Sequence, residues 1–256
     1  MIGAIAGDVI GSVYEHRPIK TKEFPLFHPR CRFTDDSVLT IAVAEAILSG
    51  RGYRETLHEI GRRYPDAGYG GSFIGWLASA DPRPYNSWGN GAAMRVSPVG
   101  FAFSSAERVL EEARKTAEVS HDHPEGVKGA QAAALAVFLA RTGAGRETLR
   151  EEISRRFGYD LDRTVEEIRR SYSFEISCWK TVPEAIVAAL DAVSFEDAVR
   201  NAVSLGGDSD TLAAIAGGIA EGLFGSVPED IQSAVERKLP PDLYEITRRF
   251  AETYRR

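Results

Sequence analysis

Helical periodicity runs through this chain almost without a break, and no stretch alternates β-branched with polar residues for long enough to make a sheet. Candidate helices span roughly 2–14, 35–49, 54–64, 104–118, 125–142, 146–157, 162–171, 183–193, 195–205, 210–224, 229–238 and 242–254. Gly50 follows the second, Pro183 takes a first-turn position, and Gly225 ends the helix that starts at Asp210. Two of these helices are crowded with small residues. Gly3, Gly7 and Gly11 lie four apart on one face of the first, and Ala213, Ala214, Ala216, Gly217, Gly218 and Ala220 fill the other. Glycine costs about 1 kcal/mol relative to alanine inside a helix, so close approach of helix axes has to compensate. The stretch 66–103 is expected to be non-helical, because it is rich in Gly and Pro. Its aromatics Tyr69, Phe73, Trp76, Tyr85 and Trp88 mark it as a functional loop rather than a disordered one. No linker or repeat divides the chain, which reads as one all-α domain over residues 1–256.

Composition removes several function classes. A net charge of −6 gives no electrostatic footprint for nucleic acid or an anionic membrane. The longest apolar stretches, such as Ala130 to Ala140, are too short and too Ala-rich to span a bilayer. The opening Met1-Ile2-Gly3-Ala4-Ile5 has no basic segment and Asp8 interrupts the apolar run, so no leader is expected. Cys31 and Cys178 fall in no metal or redox spacing; one disulfide is possible, but reduced thiols in a cytoplasm fit better.

Two acidic clusters stand where helices begin. Thr34-Asp35-Asp36 precedes one apolar run, and Asp208-Ser209-Asp210-Thr211 precedes another. Carboxylate and hydroxyl oxygens without Cys or His form the ligand set of hard divalent cations rather than of zinc. N-capping alone accounts for either cluster equally well. Should the two helix starts converge, Asp35, Asp36, Asp208 and Asp210 share one small volume, with Glu15 available as a fifth carboxylate. Like charges about 4 Å apart repel by about 4 kcal/mol at an effective dielectric near 20, so such a cluster calls for cations.

These residues resemble a known family. Gly7-Asp8-Val9-Ile10-Gly11-Ser12-Val13-Tyr14-Glu15, Thr34-Asp35-Asp36-Ser37, Gly89-Asn90-Gly91-Ala92-Ala93-Met94-Arg95-Val96, Ser120-His121 and Gly206-Gly207-Asp208-Ser209-Asp210-Thr211 are similar, in order, to the motifs of the ADP-ribosylglycohydrolases. The resemblance implies a compact single-domain orthogonal helical bundle with two Mg²⁺ or Mn²⁺ ions in a cleft. It implies metal ligands at Thr34, Asp35, Asp36, Asp208, Asp210 and Thr211, with Asp35 and Asp36 also serving the chemistry. Glu15 matches a mobile glutamate proposed as gate, ligand through water or acid/base. Asn90, Gly91, Met94 and Arg95 match a segment contacting diphosphate and ribose, and His121 matches a histidine on the adenosine-diphosphate side. The implied reaction is hydrolysis at C1″ of ADP-ribose carried by a protein side chain or small acceptor.

Plainer roles compete at several positions. Glu15 reads also as a solvated helix end, His121 as a cap on the helix ending near Glu118, Arg95 as a partner for a buried acid, and Met94 as core. His123, just before Pro124, reads as structural. Asp8 reads also as a residue bonded to nearby backbone, and Tyr69, Trp76, Tyr85 and Trp88 as packing groups, one of them free to stack on adenine. Trp179 and Lys180 stand where bacterial relatives often carry a small residue after the Phe174-Glu175-Ile176-Ser177-Cys178 segment. The acceptor therefore stays open among ADP-ribosyl-arginine, ADP-ribosyl-serine, O-acetyl-ADP-ribose and modified nucleic acid. A catalytically silent crystallin-like relative, a non-enzymatic ADP-ribose-binding module and a metal-dependent phosphoesterase are the alternatives to the hydrolase.

Overall fold

Backbone meets backbone at the centre of the molecule, and the first and twelfth helices carry that contact. The computed structural model describes residues 1–254. The early helices are α1 (Ile2–Gly11), α2 (Asp35–Ser49), α3 (Tyr53–Arg63), α4 (Gly71–Ala78) and α5 (Ser97–Ala102). They are followed by α6 (Ala106–Glu118), α7 (Pro124–Arg141), α8 (Arg146–Phe157), α9 (Val165–Ser171) and α10 (Cys178–Leu190). The last are α11 (Phe195–Val203), α12 (Ser209–Phe224), α13 (Glu229–Glu236) and α14 (Pro241–Tyr254). No strand occurs among the described residues beyond a single antiparallel bridge between Gly89 and Ser177.

The expected glycine face of α1 lies along α12. A methyl group added to Gly3 would overlap the Gly217 carbonyl, one on Gly7 the Ala213 carbonyl, and one on Gly11 the Ser209 carbonyl. The pairing runs antiparallel, so the C-terminus of α1 abuts the N-terminus of α12. Helix α12 is buried on all sides from Ser209 to Ala220, with α7, α10 and α11 packed around it. Helix α2 packs on α1, α3 and α14, and α6 and α8 lie on α7. One continuous apolar core runs from Met1 to Phe250 through these contacts.

The stretch 66–103 corrects the expectation of a loop, since it contains α4, α5 and a 3₁₀ turn at Asn90–Ala92. Low propensity is overridden by burial. Phe73 and Trp76, one turn apart on α4, stack with centroids 5.0 Å apart and are both buried. Pro98 sits in the first turn of α5, where its missing N–H costs nothing. Helix α10 also starts earlier than expected, leaving Pro183 inside it. The added turn is anchored because the Cys178 amide donates to the Trp88 carbonyl at 3.0 Å and the Cys178 side chain fills the space beside Gly129. That anchoring compensates for the helical bond that the Trp179 carbonyl loses to proline. Both cysteines are buried free thiols.

The glycine contact generates a paired prediction. Gly7→Ala gains about 1 kcal/mol of helix propensity but forces α1 off α12, at a cost of about 1–3 kcal/mol or more. Gly75 lies inside α4 with nothing near its missing Cβ, so Gly75→Ala keeps the propensity gain. Thermal unfolding is expected to show a lower melting temperature for Gly7→Ala and one raised by about 2–4 °C for Gly75→Ala.

Candidate active site

Asp8 organises the first acidic cluster from below. It is fully buried on α1, and its carboxylate accepts from the Thr34 amide at 2.9 Å, the Thr34 hydroxyl at 2.6 Å and the Ser37 amide at 3.1 Å, as well as from the Ser37 hydroxyl. Asp8 therefore bonds across to the start of α2 and not to its own neighbours. The motif placed it near the site without giving it this function.

With Thr34 as the N-cap of α2, Asp35 and Asp36 are freed from capping. The Thr34 hydroxyl accepts from the Asp36 amide at 3.3 Å, and the Asp35 amide donates to the Ala67 carbonyl at 3.0 Å. Asp36 is buried; its Oδ2 accepts from the Thr211 hydroxyl at 3.2 Å, while its Oδ1 has no partner. At the start of α12 the Asp208 carboxylate makes no capping bond and accepts from Asn90 Nδ2 at 2.7 Å. Asp210 Oδ1 accepts from the Thr211 amide at 3.0 Å. The N-cap explanation thus fits Thr34 and leaves the aspartates unexplained.

The two clusters meet. Glu15, Asp208 and Asp210 each offer a carboxylate oxygen within 4.8 Å of the others, and the Thr211–Asp36 bond joins this group to the first cluster. Burial, reinforced by Asp8, pushes the Asp35 carboxyl up to about 8. Burial also holds Asp36 and Asp210 well above the carboxylate range, with Asp8 as the largest charge acting on the first and Asp208 on the second. Asp208 is raised by burial, and Glu15 by burial and then by Asp208. Five carboxylates in one place with no Lys or Arg paired to them is a costly arrangement for the bare chain.

These groups face a cleft of about 380 Å³. Glu15, Asp35, Asp36, Asn90, Gly91, Met94, Arg95, His121, Asp208, Asp210 and Thr211 all line it; Thr34 is the expected site residue that does not. Away from the carboxylates, Arg95 donates to the Thr116 carbonyl at 2.7 Å and to Ser120 Oγ at 2.9 Å, and no acid pairs with it. Its Nε and Nη1 have no partner although the residue is wholly buried, and burial lowers the guanidinium to about 10. His121 Nδ1 lies 2.8 Å from Ser120 Oγ, and burial followed by Arg95 keeps the ring well below its ordinary pKa, hence neutral. The backbone amide of His121 caps α6 through the Ala117 carbonyl, which leaves the imidazole to the cleft. A side chain at Gly91 would press on His121 Nε2, so the missing side chain there leaves the imidazole its place. His123 is structural, as expected: its ring accepts from the Glu125 amide at the start of α7.

The aromatics divide by burial. Tyr69 and Trp76 are buried in packing, whereas Trp88 is exposed and packs against Trp179, centroids 5.1 Å apart. Phe174 and Ile176 line the cleft and remain about half exposed.

Comparison with known proteins gives the family and the fold. The family described as ADP-ribosylglycohydrolase matches residues 1–256. The mouse ADP-ribosylhydrolase ARH3 is 27% identical over 92% of this chain and 86% of its own length. The human protein of that name is also 27% identical, over 92% of this chain and 88% of its own. The ADP-ribosylarginine hydrolase Tri1 of Pseudomonas putida is 25% identical over 88% of this chain and 69% of its own. A solved structure titled ADP-ribosylglycohydrolase-related protein complex superposes with a TM-score of 0.73 at 22% identity, covering 99% of this chain and 97% of that one. With the whole chain matched and the fold shared, this protein belongs to the ADP-ribosylglycohydrolase family.

Proposed function

We propose that this cleft hydrolyses the bond at C1″ of ADP-ribose carried by a protein side chain or small acceptor, with two Mg²⁺ or Mn²⁺ ions as cofactors. The observation that carries the proposal is the meeting of five carboxylates, one with a buried and unpartnered oxygen at Asp36 Oδ1, in a cleft that also holds an arginine with spare donors. An oxygen-only donor set of this charge suits hard divalent cations. Asp35, Asp36, Asp208, Asp210 and Thr211 are assigned as ligands. Thr34 joins them through a hydroxyl already oriented by Asp8. When bound, such ions offset the carboxylate charge and supply Lewis-acid attraction for ribose hydroxyls.

The chain's own groups account for the rest. Asn90, fixed to Asp208 through its amide, holds the metal-facing carboxylate in place beside the Gly91 backbone. Arg95 offers Nε and Nη1 to a diphosphate, and the neutral His121 offers Nε2 as a hydrogen-bonding edge. Glu15, half-buried at the end of the α1 turn and close to Asp208 and Asp210, is positioned to move a proton to or from the departing acceptor. No described helix is long and apolar enough to cross a membrane. A cytoplasmic protein acting on ADP-ribosylated side chains fits this reading, and arginine ranks first among acceptors because Tri1 is named an ADP-ribosylarginine hydrolase.

Purified protein with Mg²⁺ or Mn²⁺ is expected to release free ADP-ribose from at least one of ADP-ribosyl-arginine, ADP-ribosyl-serine, O-acetyl-ADP-ribose and ADP-ribosylated nucleic acid, read by mass spectrometry, and to lose that activity on chelation. If every substrate stays intact, the binding-module or crystallin-like reading replaces this one. Saturating Mn²⁺ at about 100 times its dissociation constant should stabilise the metal-stripped protein by about 2.7 kcal/mol, or about 5–10 °C for a chain of this size. Asp210→Asn is expected to reduce that shift and to cut turnover by about 100-fold or more. His121→Ala should weaken binding of free ADP-ribose about tenfold by calorimetry, and Glu15→Gln should lower turnover while leaving that affinity within a few-fold.

A further inference from the structure

Lys20 lies outside every motif, five residues past Glu15, yet its ammonium is held by three backbone carbonyls from two distant pieces of the chain. Its Nζ donates to the Arg169 carbonyl at 2.9 Å, to the Leu205 carbonyl at 2.5 Å and to the Tyr172 carbonyl. Arg169 and Tyr172 close α9, and Leu205 follows α11, so the charge sits where carbonyls of both helix ends lack helical donors.

The loop of Lys20 and both distant pieces lead into the cleft. Lys20 shares a loop with Glu15, Tyr172 precedes the rim residues Phe174 and Ile176, and Leu205 precedes Gly206-Gly207-Asp208. The packing around the ammonium is tight on the Asp208 side. Gly206 has φ +69°, and a side chain there would overlap the Ile19 carbonyl and the Lys20 stem; one on Gly207 would strike the Tyr172 ring. Arg200 reinforces the arrangement by donating to the carbonyls of Lys22 and Phe24 at 2.8 Å each. The path from Lys20 to the Asp208 carboxylate is therefore three residues of constrained backbone.

We propose that Lys20 is a positioning residue that sets the placement of Asp208 relative to Glu15 and the cleft rim, and thereby the affinity of the site for its divalent cations. The last clause rests on the cation reading given above. Lys20 touches neither substrate nor carboxylate; it acts through the carbonyls of Leu205 and Tyr172.

Lys20→Met keeps the stem and removes the three donors, and Lys20→Arg keeps a cation with donors. Mn²⁺ binding to the full chain is measured by calorimetry alongside thermal unfolding of the metal-free protein. Lys20→Met is expected to raise the Mn²⁺ dissociation constant about tenfold or more, as loss of an outer support does. The metal-free melting temperature should fall by no more than about 4 °C, the equivalent of about 1 kcal/mol. Lys20→Arg should recover most of the affinity. Unchanged Mn²⁺ affinity in Lys20→Met, with or without a loss of stability, overturns the proposal. If the wild-type protein itself takes up no Mn²⁺, the cation reading fails, and the placement role is judged by hydrogen exchange of the 205–210 amides. Faster exchange there in Lys20→Met than in wild type supports it, and equal exchange overturns it.

Discussion

The backbone contact between α1 and α12 is the constraint on which the site depends. Three glycines remove every side chain from one face of α1, and the alanine- and glycine-rich α12 lies against it in antiparallel register. Gly11 against Ser209 fixes the end of α1 at the beginning of α12. Because Glu15 follows α1 and Asp208 and Asp210 begin α12, that one register brings the three carboxylates within reach of one another. Asp8, one turn before the end of α1, extends the same reference frame to Thr34 and Ser37, and so to Asp35 and Asp36. A slip of one helical turn along this contact would part Glu15 from Asp208 and Asp210, although the core would still be apolar.

Burial then decides the electrostatics. Carboxylates in this position are raised first by desolvation and only then by one another, so their proximity is maintained by the fold against their own repulsion. Elsewhere in the cleft, Arg95 is buried without an acid partner and His121 is kept neutral, which gives one cavity a carboxyl-rich region and a region of unpartnered donors. On the function proposed above, the hydroxyls of the ligand face the first region and its diphosphate the second.

Much of the site was legible in the sequence because its residues are local. Thr34-Asp35-Asp36 and Asp208-Ser209-Asp210-Thr211 sit at helix starts, and the spacing of Gly3, Gly7 and Gly11 announces a close helix contact. What escaped was non-local or tertiary. Helix α4 reads as loop from its glycines and exists because Phe73 and Trp76 are buried against each other. Helix α10 begins before Pro183 because the Gly89–Ser177 bridge and the Cys178–Trp88 bond anchor its first turn. Asp8 could be placed in a motif, but its four bonds to α2 depend on how two helices cross. Lys20 carries no local signal, since its three acceptors lie about 150–185 residues away in the chain. Trp88 and Trp179 similarly become a pair only when α10 meets the loop before Asn90.

Anomalous diffraction at the manganese edge, from crystals grown with Mn²⁺ and ADP-ribose, tests the central claim most directly. Two manganese peaks are expected between Asp36, Asp208 and Asp210, with the ribose beside them and the diphosphate toward Arg95. A cleft without manganese, or ADP-ribose bound away from these aspartates, would contradict it.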